Sequence, residues 1–309
     1  MKASKSIESK AGDYNRRKFI STSSKAAGAI LLLPSSLSGF GRGLDKKGSI
    51  TVGEIMDMFI SEVPGSPFDK TVDTLKAGNR DIIVTGIVTT MFATVEVIKK
   101  AIKLGSNFII AHEPTFYNHE DNTDWLQNDE VYNYKADLLK RYNIAVWRNH
   151  DYIHSHVPDG VFKVLVSKLG WTNYFDVQTS VATLPQTSLK ALIEQAKMNL
   201  GISMVRYIGS PTQSCKKVLL LPGASGGRRQ ITEIGKQKPD VLMCGELQEW
   251  ETAEYVRDAR EEGKQLSLIV LGHIASEEPG SEYMVNWLKE KVPDVKATHV
   301  PAKNSLSFM

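Results

Sequence analysis

The sequence predicts an α/β fold: two α/β halves with mainly parallel sheets, flanking a short insert. Three observations predict it. Apolar runs of strand length alternate with stretches whose apolar residues recur at helical spacing. The alternation covers residues 81–170, lapses, and resumes over 215–301. Several apolar runs also turn polar abruptly at their carboxyl ends, the edge where α/β sheets collect their ligands. With 309 residues and 41% apolar content, the chain can bury a substantial core in one large or two smaller domains.

Taken in order, residues 41–50 (Gly41, Arg42, Gly43, Lys46, Lys47, Gly48) read as a linker. The N-terminal half, 51–170, opens with a helix over 51–63, with Thr51 as N-cap and Glu54 three residues on. A buried strand over 81–89 leads to a helix over 93–104 that stops at Gly105. A strand over 107–111, a helix from about 130 to 142, a strand over 143–148 and a helix over 158–169 complete the half. The insert, 171–214, holds a helix over 188–200 and a short strand over 203–208. The C-terminal half, 215–309, has strands over 216–221, 240–244, 266–271 and 295–300, with helices after 227 and over 249–262 and 280–291. Cys215 and Cys244 sit on apolar runs without C-x-x-C spacing and read as small core residues.

The net charge of +3 is unevenly placed. Residues 1–40 carry seven Lys/Arg against Glu8 and Asp13, which leaves the remainder at −2. No basic nucleic-acid footprint is therefore expected. Asn15-Arg16-Arg17-Lys18-Phe19-Ile20 resembles a twin-arginine export motif, and a short apolar stretch broken by Pro34 follows it. That stretch is too short to span a bilayer. The expectation is a twin-arginine-type signal over 1–40, a periplasmic or extracytoplasmic destination, and no membrane span in the mature chain.

The chemistry gathers at strand ends. The strand ending at Ala111 delivers His112 and Glu113; the one ending at Arg148 delivers His150, Asp151 and His154. The strand ending at Cys244 delivers Glu246, and the one ending at Leu271 delivers His273 and Glu277, four residues apart and so on one face of a helix that starts at Gly272. In a parallel sheet these ends meet at one crevice. Imidazole with carboxylate and no thiolate suits zinc, iron or manganese, and the supply is enough for two ions. His112, His150, His154, His156 and His273 are candidates, while His119 and His299 read as surface residues. Crowding argues that at least one of His150, Asp151, His154 and His156 stands behind the ligands. Glu246 is a candidate for such a supporting place; Glu249 reads as a complement to a helix dipole. The glycines over 223–227 lack the Lys-Ser/Thr ending of a P-loop and the spacing of a dinucleotide fingerprint.

Two motifs carry a family resemblance. Phe108-Ile-Ile-Ala-His112-Glu113-Pro114 resembles a strand ending in His-His-Pro, and Leu271-Gly-His273-Ile-Ala-Ser276-Glu277 resembles a Gly-His-x-x-Ser/Thr-Glu signature. Both belong to the Nif-three-like dinuclear metal centre proteins, also called GTP cyclohydrolase 1 type 2 homologues, and the likeness covers about residues 50–309. The resemblance implies two divalent ions between the α/β halves and a toroidal homo-hexamer. It puts His112, His273 and Glu277 on ligand positions and Glu113 where the family has its second His. The family's middle motif, His-Thr-Asn-x-Asp, is here His150-Asp151-Tyr-Ile-His154, which leaves His154 or Asp151 as the ligand. The expected ligand set is thus His112, Glu113, Asp151, His154, His273 and Glu277. A metal-dependent hydrolase acting on a small molecule is the first reading, with GTP ring opening as the version the family name suggests. A non-catalytic metal-binding or partner-binding oligomer is the alternative. An open coordination position separates the two, because a structural site is closed by protein ligands.

Overall fold

A computed structural model describes residues 49–307 and 309. The expected export leader and most of the linker lie outside the described residues. In chain order the first elements are α1 (Val52–Ser61), β1 (Leu75–Ala77), β2 (Ile87–Thr90), α2 (Val95–Leu104), β3 (Phe108–Ala111), α3 (Glu130–Arg141) and β4 (Ala145–Arg148). Next come α4 (Asp151–Ser155), α5 (Gly160–Lys168), β5 (Phe175–Asp176), β6 (Val181–Ser188), α6 (Leu189–Leu200), β7 (Arg206–Ile208) and β8 (Ser214–Leu221). The chain closes with α7 (Gly227–Gln237), β9 (Val241–Cys244), α8 (Glu254–Glu261), β10 (Ser267–Val270), α9 (His273–Lys291) and β11 (Ala297–His299).

Local chemistry sets the helix ends. Thr51 Oγ1 accepts from the Glu54 amide at 3.2 Å while Glu54 Oε2 accepts from the Thr51 amide at 2.8 Å, a complete capping box for α1. Thr51→Ala should cost about 1 kcal/mol of stability, read as a lowered thermal midpoint. Gly105 ends α2 in the left-handed region, at φ 68°, where a side chain would be strained.

Two mixed sheets form the scaffold. The first runs β1-β4-β3-β2-β11 and is parallel except for β1; the second runs β5-β6-β8-β9-β10-β7, with β8, β9 and β10 parallel at its centre. Each sheet is covered on both faces, which explains why its central strands read as unbroken apolar runs. Phe108, Ile110 and Trp147 pack against α1 and α9, while the alternate residues Ile109, Ala111 and Val146 pack against α2 and α3. In the second sheet, Leu220, Met243 and Ile269 face α5 and α6, whereas Leu219, Leu242 and Leu268 face α7 and α8.

The structure departs from the sequence reading in four places. Residues 171–214 are no insert in space, because β5, β6 and β7 supply half of the second sheet's strands. The end of the 215–309 segment does not stay with its half: β11 pairs with β2, and Met284, Trp287 and Leu288 of α9 join the core around Phe59 and Trp147. Residues 81–86 precede β2 without being part of it, and Ile83 contributes only a bridge to Thr51. Finally, α9 starts at His273 and runs through Pro279. The sequence reading has a helical start at Gly272 and a separate helix over 280–291, yet they are one helix, and Gly280 is where α9 meets α5: a Cβ there would come within 2.7 Å of Val161.

Candidate metal centre

The carboxyl ends of β3 and β4 in the first sheet, and of β8 and β10 in the second, border one crevice of about 1250 Å³. His112 and Glu113 follow β3 directly, and both are buried. His150 is the N-cap of α4, and His154 lies one turn on, on the same helix. His273 and Glu277 occupy the first turns of α9, whose start at the end of β10 puts both on one face.

Their reactive atoms converge. Glu277 Oε2 is 2.9 Å from His273 Nε2 and 3.5 Å from His112 Nε2, and its Oε1 is 3.8 Å from His154 Nε2. Glu113 Oε1 is 3.1 Å from His273 Nε2 and 3.8 Å from His150 Nε2. Two overlapping groups, His112–His150–His154 and His112–Glu113–Glu277, keep their ligand atoms within 4.8 Å of one another.

The outward nitrogens explain why the rings stand this way. His112 Nδ1 faces the Asn149 carbonyl at 3.2 Å, His150 Nδ1 faces Asp151 at 3.0 Å, and His154 Nδ1 faces Asp159 at 2.9 Å. Glu246 Oε2 lies 3.5 Å from His273 Nδ1. Each oxygen favours a proton on Nδ1, which leaves the Nε2 lone pair aimed inward, the arrangement of a ligating imidazole. His112 Nε2 is buried and has no hydrogen-bond partner, the mark of an atom that a ligand completes. The residues therefore fit a metal ion.

Asp151 does not face the centre. Its Oδ2 accepts from Thr71 Oγ1 at 2.8 Å and from the Val72 amide at 3.2 Å, and its Oδ1 buttresses His150. His154 takes the inward place, and His150, absent from the expected ligand set, joins it. The other expected ligands, His112, Glu113, His273 and Glu277, come together with these two. His156 lies outside, held by Tyr283 Oη at 3.1 Å. His119 is exposed, as expected, but lines the crevice, with its ring centroid 6.4 Å from that of His150. His299 pairs with Glu278 at 2.7 Å.

Three further residues shape the site without having been legible as parts of it. Arg148, fully buried, places Nη2 3.2 Å from Glu113 Oε2, and its guanidinium also donates to the carbonyls of His112 and His119. One oxygen of Glu113 is thereby occupied and the other turned inward. Asp159 caps α5 through Oδ1, which accepts from Val161 and Phe162 amides, and orients His154 through Oδ2. Its position just ahead of a helix was the only signal available. Asp159→Ala should weaken metal affinity roughly 10–100-fold, measured by competition with a chromophoric chelator. Gly223, at φ +62°, lies against Glu277: a Cβ would fall 2.1 Å from Oε1. The Gly223 amide also donates to Ser276 Oγ at 3.0 Å. Close approach to α9 thus explains the first glycine of the 223–227 run.

Electrostatics separate the imidazoles. Burial, then the adjacent His112 ring, pushes His150 down to about 4. Burial also opposes a charge on His273, yet hydrogen bonds to Glu113, Glu246 and Glu277 override it and raise His273 to about 11. Glu277 is held well below the usual carboxylate range: its burial is outweighed by His112 and His273. Without metal, His273 is therefore protonated at neutral pH. The stability of its pairing is complete below pH 6.5 and is lost as the pH rises through about 11. Metal loading must expel that proton, so affinity rises with pH and about one proton leaves His273 at pH 7. Calorimetry in buffers of different ionisation enthalpy checks this; heats independent of the buffer would refute it.

Fold and geometry together define a two-sheet α/β protein with buried His/Glu groups that could hold a metal ion. The chain belongs to the Duf34/NIF3 (NGG1p interacting factor 3) family, whose model matches residues 52–305. It is 25% identical over 229 residues to a GTP cyclohydrolase 1 type 2 homolog of Clostridium perfringens, covering 71% of this chain and 83% of that protein. It is 26% identical over 227 residues to the protein of that name from Clostridium acetobutylicum, covering 70% and 80%. Among solved structures, a Bacillus cereus protein related to NIF3 superposes with a TM-score of 0.69 at 17% identity, covering 85% of this chain and 99% of that one. A Staphylococcus aureus hypothetical protein gives 0.68 at 20% identity with the same coverage. Among the described residues, no helix is long and apolar enough to cross a membrane.

Proposed function

We propose that the protein is a metal-dependent hydrolase of a small molecule, with two divalent ions (zinc, iron or manganese) held by His112, Glu113, His150, His154, His273 and Glu277. One observation carries the reading: four imidazole Nε2 atoms and two carboxylates face one crevice while the Nδ1 atoms are tied outward. Such ions, when bound, polarise a phosphoryl or carbonyl oxygen and lower the pKa of water. The chain supplies the rest. Asn149, Asp151 and Asp159 fix three ring orientations, and Arg148 turns one Glu113 oxygen inward. Glu246, at the outer nitrogen of His273, is placed to hold that ring's Nδ1 proton. Phe92, Phe162 and Ile274 give the crevice apolar walls, and Arg229 and Lys303 add positive charge. A space of about 1250 Å³ beside the donors suits a substrate, whereas a structural staple needs none.

The name of the clostridial relatives points to GTP ring opening as the finer form of this reading. A screen of phosphate and amide esters, with GTP alongside, tests it on protein of measured metal content. Turnover should follow metal content across wild type and His154→Ala and vanish with a chelator. Stoichiometric metal with no turnover of any compound would leave the non-catalytic metal-binding alternative. We also propose self-association as a homo-hexamer, which light scattering checks and a monomeric mass would exclude. Export by the twin-arginine-type leader is a further part of the proposal. Replacing Arg16 and Arg17 by lysine should retain the protein in the cytoplasm, and unchanged export would remove that leader from the account.

A further inference from the structure

We infer that the two ion positions are chemically unequal, one walled by imidazole nitrogen and the other by carboxylate oxygen, so that each selects a different metal. The inference rests on the dinuclear reading above. His112, His150 and His154 cluster on one side, with ring centroids 4.8 Å, 5.1 Å and 5.1 Å apart. His273 stands on the other side, edge-on to Phe92 at 6.0 Å. The two carboxylates lie between. Glu277 turns Oε1 toward His154 and Oε2 toward His273, and Glu113 Oε1 lies nearer His273 than His150, at 3.1 Å against 3.8 Å.

An ion on the first side would meet the nitrogens of His112, His150 and His154, whose nearest carboxylate oxygens, from Glu277 and Glu113, lie 3.5 Å to 3.8 Å away. An ion on the second would meet His273 and the nearer oxygens of both glutamates, which lie 2.9 Å and 3.1 Å from His273 Nε2, with His112 shared between the two sides. Nitrogen donors suit zinc and the later first-row ions, while carboxylate suits manganese and magnesium. The buried Nε2 of His112, without a hydrogen-bond partner, belongs to both groups and marks where the two sides meet.

The test loads metal-stripped full-length protein with manganese and raises free zinc through a chelator buffer. Released manganese is read by electron paramagnetic resonance and bound ions by elemental analysis. One manganese should leave at low free zinc and the second only at about tenfold more or higher. His154→Asp, which puts a carboxylate on the nitrogen side, should raise the zinc needed for the first step and draw the two together. His273→Ala should remove the second manganese and leave the first zinc step in place. Release of both ions in one step by the wild type overturns the inequality, as do two steps unmoved by His154→Asp. Fewer than two ions per chain at saturating manganese overturns the dinuclear reading and this inference with it.

Discussion

Glu277→Ala is expected to leave the purified protein with little metal, the largest loss of any single substitution at the centre. Glu277 reaches three of the four imidazoles, His273 and His112 through one oxygen and His154 through the other, whereas Glu113 reaches two, His273 and His150. Residues standing behind ligands already account for roughly 10–100-fold in affinity, so a carboxylate within the donor set should exceed that range. Gly223→Ala should reproduce much of the loss without altering a ligand, since the new methyl would occupy the space of Glu277 Oε1. Elemental analysis reads both. His273→Ala should lose metal as well, and unchanged content in Glu277→Ala and His273→Ala together would remove the metal assignment.

Arg148→Met is expected to be the most destabilising change near the site, at about 3–5 kcal/mol. The guanidinium is fully buried and neutralises Glu113 at 3.2 Å, with Asp121 at 3.6 Å. Without it, both carboxylates lose a buried positive partner, while Lys76 still faces Asp121 at 3.3 Å and His273 still faces Glu113 at 3.1 Å. In a domain of this size the thermal midpoint should fall by roughly 10 °C. Combining Arg148→Met with Glu113→Gln should recover part of the loss, because the orphaned charge goes too. A single-variant loss below about 1 kcal/mol would show that Arg148 is dispensable for the fold.

The parallel cores were legible because strands buried on both faces must be apolar throughout, as Phe108–Ala111, Val241–Cys244 and Ser267–Val270 nearly are. Strands at or next to a sheet edge carry no such signature. Leu75–Ala77 has three half-buried residues with a lysine in the middle, and Val181–Ser188 contains Pro185 beside a shift in register. The converging segments could be read from where the histidines and glutamates fell, just past strand ends. What decides between Asp151 and His154 is different. It depends on Thr71 and Val72, distant in sequence, which draw the Asp151 carboxylate away from the crevice. Asp159 and Arg148 were hidden similarly, since a cap and a charged strand end are common features that only tertiary contact turns toward a ligand.

The way the first sheet is finished bears on how the polypeptide acquires its shape. Its edge next to β2 is sealed by β11, and the hollow around Phe59 and Trp147 is filled by Trp287 and Leu288. A nascent chain therefore cannot complete its early part until residue 299 has emerged, so the halves do not mature one after the other during synthesis. Until then, an unpaired edge and two large aromatic rings remain available to chaperones.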